Sequence, residues 1–360
     1  MKVLVTGHDG YVGAVAVGFL AVAGHDVIGV DTGWFDDRAF TPPAPVTAWR
    51  RDVRDLTVED LATFDAVVHL AALSNDPLGD LDATLTDAIN HRASVQLAQR
   101  AKQAGVSRFV FASSCSLYGA ARDAAPLDER APFRPVTPYG ASKVHVEASL
   151  GRLADSTFSP VCLRNATAYG VSPKLRGDLM VNDLVARAVT TGEVLIKSDG
   201  TPWRPLVHVT DMARAMVAAL AAPRQRIHNE AFNVGRDGEN YQVRDVAALV
   251  AAEVPGSQVV YAPGGEADAR DYRVDFSKIA RQLPEFRPRW TVADGVAELA
   301  DAYRRHGLSL ADLESGRYHR LRAIASHRQA GCLGPDLRWR GVAGSAVAGR
   351  AVAAEAAGTA

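Results

Sequence analysis

The chain has 360 residues, 48% hydrophobic and 22% charged, with a formal net charge of −1. That is enough to bury one large α/β core or two smaller ones, and it lacks the clustered basic excess with which nucleic-acid binders displace counterions. No apolar run reaches the roughly 18 residues needed to cross a bilayer, and MKVLVTGHDG enters a strand-like segment without the regions of a leader peptide. Three widely spaced cysteines, Cys115, Cys162 and Cys332, include no metal-ligand pair. A cytoplasmic, reduced protein of small-molecule chemistry is expected, with no structural metal, membrane segment or nucleic-acid partner.

From residue 2 to about 170, short apolar runs alternate with helical periodicity. KVLVTG leads into a helix from Tyr11. DVIGVD, TAWRRDV and AVVHLAA follow, then a long amphipathic stretch from Leu85 to Ala104, RFVFASS, a helix from Pro138, and PVCLRNA. Strands too apolar to have a wet face, alternating with helices, predict an α/β fold of the Rossmann type, a doubly wound parallel sheet covered on both sides. Beyond residue 170 the rhythm breaks into EVLIK, FNVG and QVVYA between helices at 211–220 and 245–254. This predicts a smaller mixed α/β domain over 171–307, placed at the carboxyl ends of the strands to hold substrate, with some segments able to return to the first sheet. Residues 308–340 form an extension that could cap the site or make an oligomer contact. Residues 341–360 are small and weakly apolar and are expected to be disordered.

GHDGYVG opens the first helix directly after the first strand, with glycines at Gly7, Gly10 and Gly13. This spacing permits a tight turn, a close backbone approach to a pyrophosphate and close helix–strand packing, and the helix N-terminus offers N–H donors. Tyr11 and Val12 belong to the same loop. Asp31 ends the second strand, where a carboxylate accepts hydrogen bonds from an adenosine ribose and repels a 2′-phosphate, so the expected cofactor is NAD. Asp52 and Val53 follow the third strand, where an acid can meet the adenine amine, although RRDVRD also reads as an ordinary charged loop.

In PYGASKVHVEA, Tyr139 and Lys143 stand about one helical turn apart and share a face. A nearby cation stabilises phenolate, so Lys143 is expected to lower the Tyr139 pKa and give a general base. Alone the pair is as readily surface decoration; behind a nucleotide loop it is a candidate site.

With these motifs in family order, the chain resembles the extended short-chain dehydrogenase/reductases, specifically the NAD-dependent nucleotide-sugar epimerase/dehydratase group. The likeness spans roughly residues 2–305 through GHDGYVG, VIGVD, DV, HLAA, Asn90, SSCSLYG, PYGASK, the LR…YG segment and WRPLVHVTDMARA. It implies that Leu70, Ala71, Ala72 and Ser113 flank the cofactor, Ser113 serving as packing or as a contact. Asn90 is implied as a buried support beside the catalytic strand, and Ser114 as the hydroxyl that binds the substrate oxygen.

The two positions after Ser114, Asp and Glu in the 4,6-dehydratases, are here Cys115 and Ser116. A serine is too weak a base to replace the Glu. Cys115 reads either as a small filler or as an acid/base for C3/C5 epimerisation. Arg204 and Arg270 are implied as diphosphate contacts. The family's Asn after its LR segment is Thr167 here, with an Asn moved to Asn165, and Asn182 could supply a substitute amide contact. The resemblance further implies a homodimer through a four-helix bundle made by the helices near 85–104 and 138–154. The leading reading is an NAD-dependent nucleotide-sugar 4-epimerase. Alternatives are a 4-ketoreductase or oxidase, a dehydratase or C3/C5 epimerase using Cys115, or a catalytically silent binding protein.

Overall fold

Strand β1 (Lys2–Thr6) is apolar on both faces, and Val3, Leu4 and Val5 are wholly buried. A strand with no wet face belongs inside a parallel sheet covered on both sides. In this computed structural model, which describes residues 1–74, 76–120, 125–264 and 270–340, β1 pairs in parallel with β2 (Asp26–Asp31) and β4 (Ala66–His69). Beyond β2 lies β3 (Thr47–Arg50), and beyond β4 lie β5 (Arg108–Ser114) and β6 (Ser159–Asn165). The strand order therefore reverses between β1 and β4, and such a switch point opens a crevice at the carboxyl ends of the strands.

The second half of the chain begins with β7 (Thr167–Tyr169), β8 (Glu193–Ile196) and β9 (Trp203–His208). FNVG lies in β10 (Glu230–Val234), which pairs with β6 and completes a seven-stranded parallel sheet. The helix Val209–Ala221, just before it, packs on the first helix, Gly13–Val22. The smaller unit is built from β11 (Asn240–Gln242), which lies antiparallel to β9 with β7 on the other side, and from β12 (Gln258–Tyr261) pairing with β8. Its helices Met180–Thr191, Val243–Glu253 and Val292–Arg305 share a core that includes Leu184, Val185, Val250, Leu299 and Tyr303. Thr291 and Asp294 form a reciprocal capping box that fixes the start of the last of these helices.

The stretch from Leu85 is part of a helical run from Ala83 to Gln103, with a π-helical segment at Asp87–Arg92. Asn90, within that segment, is bonded to Leu73 in the loop after β4. The extension forms helices Leu310–Glu314 and Arg320–Gln329 and a final turn in which Leu333 bridges Trp339. Ile324, Leu333 and Leu337 share a small core with Trp34, Leu73 and Leu78, so the extension lies across the ends of β2 and β4. Residues 341–360, expected to be disordered, lie outside the described residues. No helix among the described residues is long and apolar enough to cross a membrane.

Candidate active site

A cleft of about 560 Å³ opens at the carboxyl ends of β1, β2, β4 and β5 and continues into the smaller unit. Its first wall is the glycine loop. Gly7 turns with φ +74°, and a Cβ there would lie 2.7 Å from the Ala71 nitrogen; one at Gly13 would meet the Gly7 carbonyl at 2.1 Å. Both positions require glycine for close backbone approach, which leaves the Gly10–Gly13 turn exposed to the cleft. Tyr11 reaches across and donates its hydroxyl to the Gly170 carbonyl at 2.7 Å, fastening the loop to the segment after β7.

Asp31 lines the cleft at the end of β2 and accepts from the Gly33 and Asp9 amides at 2.9 and 3.2 Å, which fixes its carboxylate. Asp52 and Val53 also line it, but both Asp52 oxygens are held by Arg54, at 2.9 and 2.6 Å. Leu70, Ala71 and Ala72 form the floor. Asn90 is buried and is not among the lining side chains; it clamps Leu73 by accepting from its N–H at 2.7 Å and donating to its carbonyl at 3.1 Å. Its part is to hold the loop that carries the floor.

Beside the floor, β5 delivers Ser113 and Ser114. The Ser113 hydroxyl donates to Glu147 at 2.5 Å, and Glu147 in turn pairs with buried Arg164 at 2.7 Å, so Ser113, which also lines the cleft, is anchored into a buried network. Ser114 caps the short helix Cys115–Tyr118, accepting from the Ser116 amide and donating to the Ser116 hydroxyl, both at 3.1 Å, and its hydroxyl is near enough to the Tyr139 phenol to favour phenolate. Thr137 caps the helix Pro138–Leu153 by accepting from the Gly140 amide at 3.1 Å, and Pro138 presets its first turn, which places Tyr139 against the cleft. Lys143 is buried, donates to the Ala112 carbonyl at 2.7 Å and lies 5.4 Å from the Tyr139 ring centre.

The electrostatics depart from the sequence expectation. Burial, and then the Asp76 charge, push the Tyr139 phenol above its ordinary value, while the nearby Ser114 hydroxyl and Arg176 pull it back. Burial also brings Lys143 down to about 8. Desolvation outweighs the lysine because Lys143 spends its bond on Ala112 instead of the phenol oxygen.

Cys115, weighed as an acid or base, points away from the cleft. The strand ends at Ser114 and the chain turns helical, sending the thiol into the core, where it donates to the Arg164 carbonyl at 3.2 Å and burial raises its pKa. Ser116 lines the cleft in its place. Asn182 also differs from expectation. It is fully buried, accepting from the Gly170 amide at 3.0 Å and donating to the Arg176 carbonyl at 2.9 Å, so it shapes the wall without touching the cleft. Asn165, by contrast, donates to the Ser113 and Leu163 carbonyls at 3.1 Å, and its Oδ1 is a buried acceptor with no partner among the described residues. Thr167 stands beside it, and both line the cleft.

Farther along the cleft, Arg204 and Arg270 line it together, and Arg204 donates to the Arg270 carbonyl. Arg270 pairs with Asp76 at 2.5 Å, and Asp76 also accepts from the Thr137 hydroxyl at 2.5 Å. Asp76 and the bidentate Arg176–Asp178 pair, with both bonds at 2.9 Å, were missed from sequence. Asp76 directly precedes Pro77 after the HLAA floor, a loop position where an acid is worth noting. Among the described residues one group has metal-ligand character, Asp87, His91 and His145, on the outer faces of two helices and apart from the cleft.

The cleft fits a dinucleotide: a glycine cradle that any Cβ would fill, a fixed carboxylate at the end of β2, and, among the described residues, an unpartnered buried amide oxygen on Asn165. Comparisons with known proteins agree. UDP-glucose 4-epimerase of Corynebacterium glutamicum is 31% identical over 72% of this chain and 82% of its own length. That of Mycolicibacterium smegmatis is 30% identical over 84% of this chain and 99% of its own length. Among solved structures, MoeE5 in complex with UDP-glucuronic acid and NAD superposes with a TM-score of 0.73 at 29% identity, covering 85% of this chain and 99% of that one. UDP-glucose 4-epimerase of Thermotoga maritima with UDP-glucose gives 0.74 at 25% identity, with coverages of 85% and 99%. The family model for the NAD dependent epimerase/dehydratase family matches residues 3–235. The chain belongs to that family and is an NAD-dependent enzyme of the nucleotide-sugar epimerase/dehydratase group.

Proposed function

We propose that this protein is a 4-epimerase of nucleotide-diphosphate sugars. The observation that carries the reading is Ser114 standing beside the Tyr139 phenol at the cleft, with no second acid or base from the two positions after Ser114: Cys115 is in the core and Ser116 offers only a hydroxyl. Oxidation and reduction at one carbon need a single proton relay, whereas dehydration or C3/C5 epimerisation needs further groups.

In this reading Tyr139 takes the proton from the C4 hydroxyl, and Ser114 holds that oxygen so that charge develops against a fixed donor. NAD, when bound, accepts a hydride and returns it, and its positive ring favours the phenolate that burial otherwise resists. Lys143 adds a second positive charge behind the phenol. Arg204 and Arg270 grip the diphosphate, and the recess lined by Leu195, Ile196, Lys197 and Ser198 takes the base. Uridine diphosphate hexoses are the first substrates to test, because relatives at 30–31% identity are UDP-glucose 4-epimerases. By the family resemblance, two copies pair through the helical run Ala83–Gln103 and the helix Pro138–Leu153; light scattering that reads one chain's mass would remove this part.

The deciding experiment incubates the purified protein with UDP-hexoses in D2O and follows products by NMR. Inversion at C4 without added cofactor and without deuterium uptake is expected. Deuterium at C3 or C5 would overturn the reading, and turnover that requires stoichiometric added NADH or NAD would replace it with a reductase or oxidase.

A further inference from the structure

The extension is fastened to the adenosine side of the cleft at several points. The Trp339 indole donates to the Thr32 carbonyl at 2.7 Å, and His327 Nε2 lies 2.9 Å from the Trp34 carbonyl. Arg338 pairs with Asp55, and Arg54 donates to the Asp336 carbonyl at 3.0 Å. These partners follow β2 and β3, where the adenosine half of a dinucleotide is received.

Arg320, at the start of the extension's second helix, is only 2% exposed, yet it lines the cleft. Its guanidinium stacks 4.1 Å over the Phe35 ring and its Nη2 donates to the Lys174 carbonyl at 2.8 Å. Nη1 is buried and has no hydrogen-bond partner among the described residues. A buried, unsatisfied guanidinium nitrogen is costly unless an acceptor arrives.

The position of Arg320 identifies that acceptor. Lys174, whose carbonyl it holds, sends its ammonium to Asp9 of the glycine loop at 2.8 Å, and Ser172, two residues earlier, donates to the Tyr11 carbonyl at 2.7 Å. The guanidinium is therefore tethered to the loop whose amides receive a dinucleotide's diphosphate. The strongest charges that act on it come from Arg176, Asp178, Asp31 and Asp9, the last two on the glycine-loop side of the cleft. It belongs to the cofactor half.

We propose that Arg320 is a cofactor-binding residue whose Nη1 pairs with the diphosphate of NAD, so that the C-terminal extension straps the dinucleotide into the cleft. Retention suits an enzyme that reuses one cofactor, but the binding claim stands whatever sugar is turned over.

The test uses full-length protein freed of nucleotide, comparing wild type with R320Q and R320K by calorimetric titration of NAD, ADP-ribose, adenosine and UDP. R320Q is expected to weaken NAD and ADP-ribose by roughly 10- to 100-fold, the scale of one charged hydrogen bond, with adenosine and UDP little changed. R320Q should also carry less NAD through purification. R320K, a point charge without the planar fork, should fall between. If R320Q does not fold, R320K is read alone. Unchanged ADP-ribose affinity in the variants that fold overturns the proposal. So does an equal loss for adenosine, which would make Arg320 only a wall of the adenosine site, or a loss confined to UDP.

Discussion

The Lys143 ammonium lies 5.4 Å from the centre of the Tyr139 ring but gives its hydrogen bond to the Ala112 carbonyl, 2.7 Å away on β5. The lysine thus stands behind the phenol as a charge and also pins its helix to β5. Replacing Tyr139 by Phe should remove the proton relay and lower kcat by at least about 100-fold with KM little changed. Lys143→Met should lower kcat comparably and also cost measurable stability. Steady-state kinetics with thermal unfolding of both variants separates the two roles.

Cys115 supplies the converse test. Its thiol sits in the core against the Arg164 carbonyl, so Cys115→Ala should leave kcat/KM within about twofold while lowering stability by roughly 1 kcal/mol for the lost buried atom. A loss of activity without a loss of stability would return Cys115 to the chemistry.

Behind the active site, the Glu147–Arg164 pair is buried on both sides, with side chains 8% and 6% exposed. Burial is the largest single influence and works against the Arg164 cation, but the Glu147 bond and charge, with Tyr118, together outweigh it, and its pKa stands above the ordinary value. Ser113 and the Tyr118 hydroxyl close the network. Glu147→Gln leaves a buried cation without its counter-charge and should destabilise the fold by about 3–5 kcal/mol. Chemical denaturation reads this directly, and a cost under about 1 kcal/mol would mean that solvent reaches the pair.

How much of this was legible in the sequence follows from the kind of constraint. Gly7 and Gly13 were readable because no other residue fits their backbone, and Tyr139 with Lys143 because helical spacing alone puts them on one face. The direction of Cys115 was not readable: it depends on β5 stopping at Ser114 and not one residue later, a matter of packing. Asn182 looked like any amide on a helix until the fold placed it under Gly170. Glu230–Val234 reads as a strand, but only the tertiary structure says which sheet receives it. Arg320 lies in a segment with no periodic or motif signal, so its burial in the cleft was invisible.

His69 ends β4 beneath the cofactor floor, wholly buried, and burial depresses its pKa from 6.5 to about 3. Ser94 gives its one hydroxyl proton to the Asn90 carbonyl at 2.6 Å, so His69 Nε2–H donates to Ser94 at 2.7 Å and Nδ1 accepts from Thr6 at 2.6 Å. A neutral ring satisfies every bond in the chain. Between pH 6.5 and about 3 the unfolded chain binds a proton there that the native state refuses, so stability falls as the pH drops through that window. The loss should reach on the order of 4 kcal/mol near the lower limit. His69→Gln, which cannot titrate, should be less stable at neutral pH but lose stability less steeply on acidification; parallel curves for the two proteins would sink this account.

Asp76 sets the charge around Tyr139 from the other side, held between the Thr137 hydroxyl and Arg270. After burial it is the strongest influence raising the phenol's pKa. Activity that needs phenolate rises with pH through that pKa, so removing the Asp76 charge should move the acid limb of the kcat profile to lower pH. Asp76→Asn keeps an oxygen for Thr137 while ending the ion pair with Arg270, so KM for the nucleotide sugar should change as well, through the arginine that lines the diphosphate end. The two effects are separable, because kcat reports the bound complex and KM the grip on substrate. An acid limb that stays in place, or moves to higher pH, would mean that Asp76 does not act on the base and that its place in the cleft is to hold Arg270.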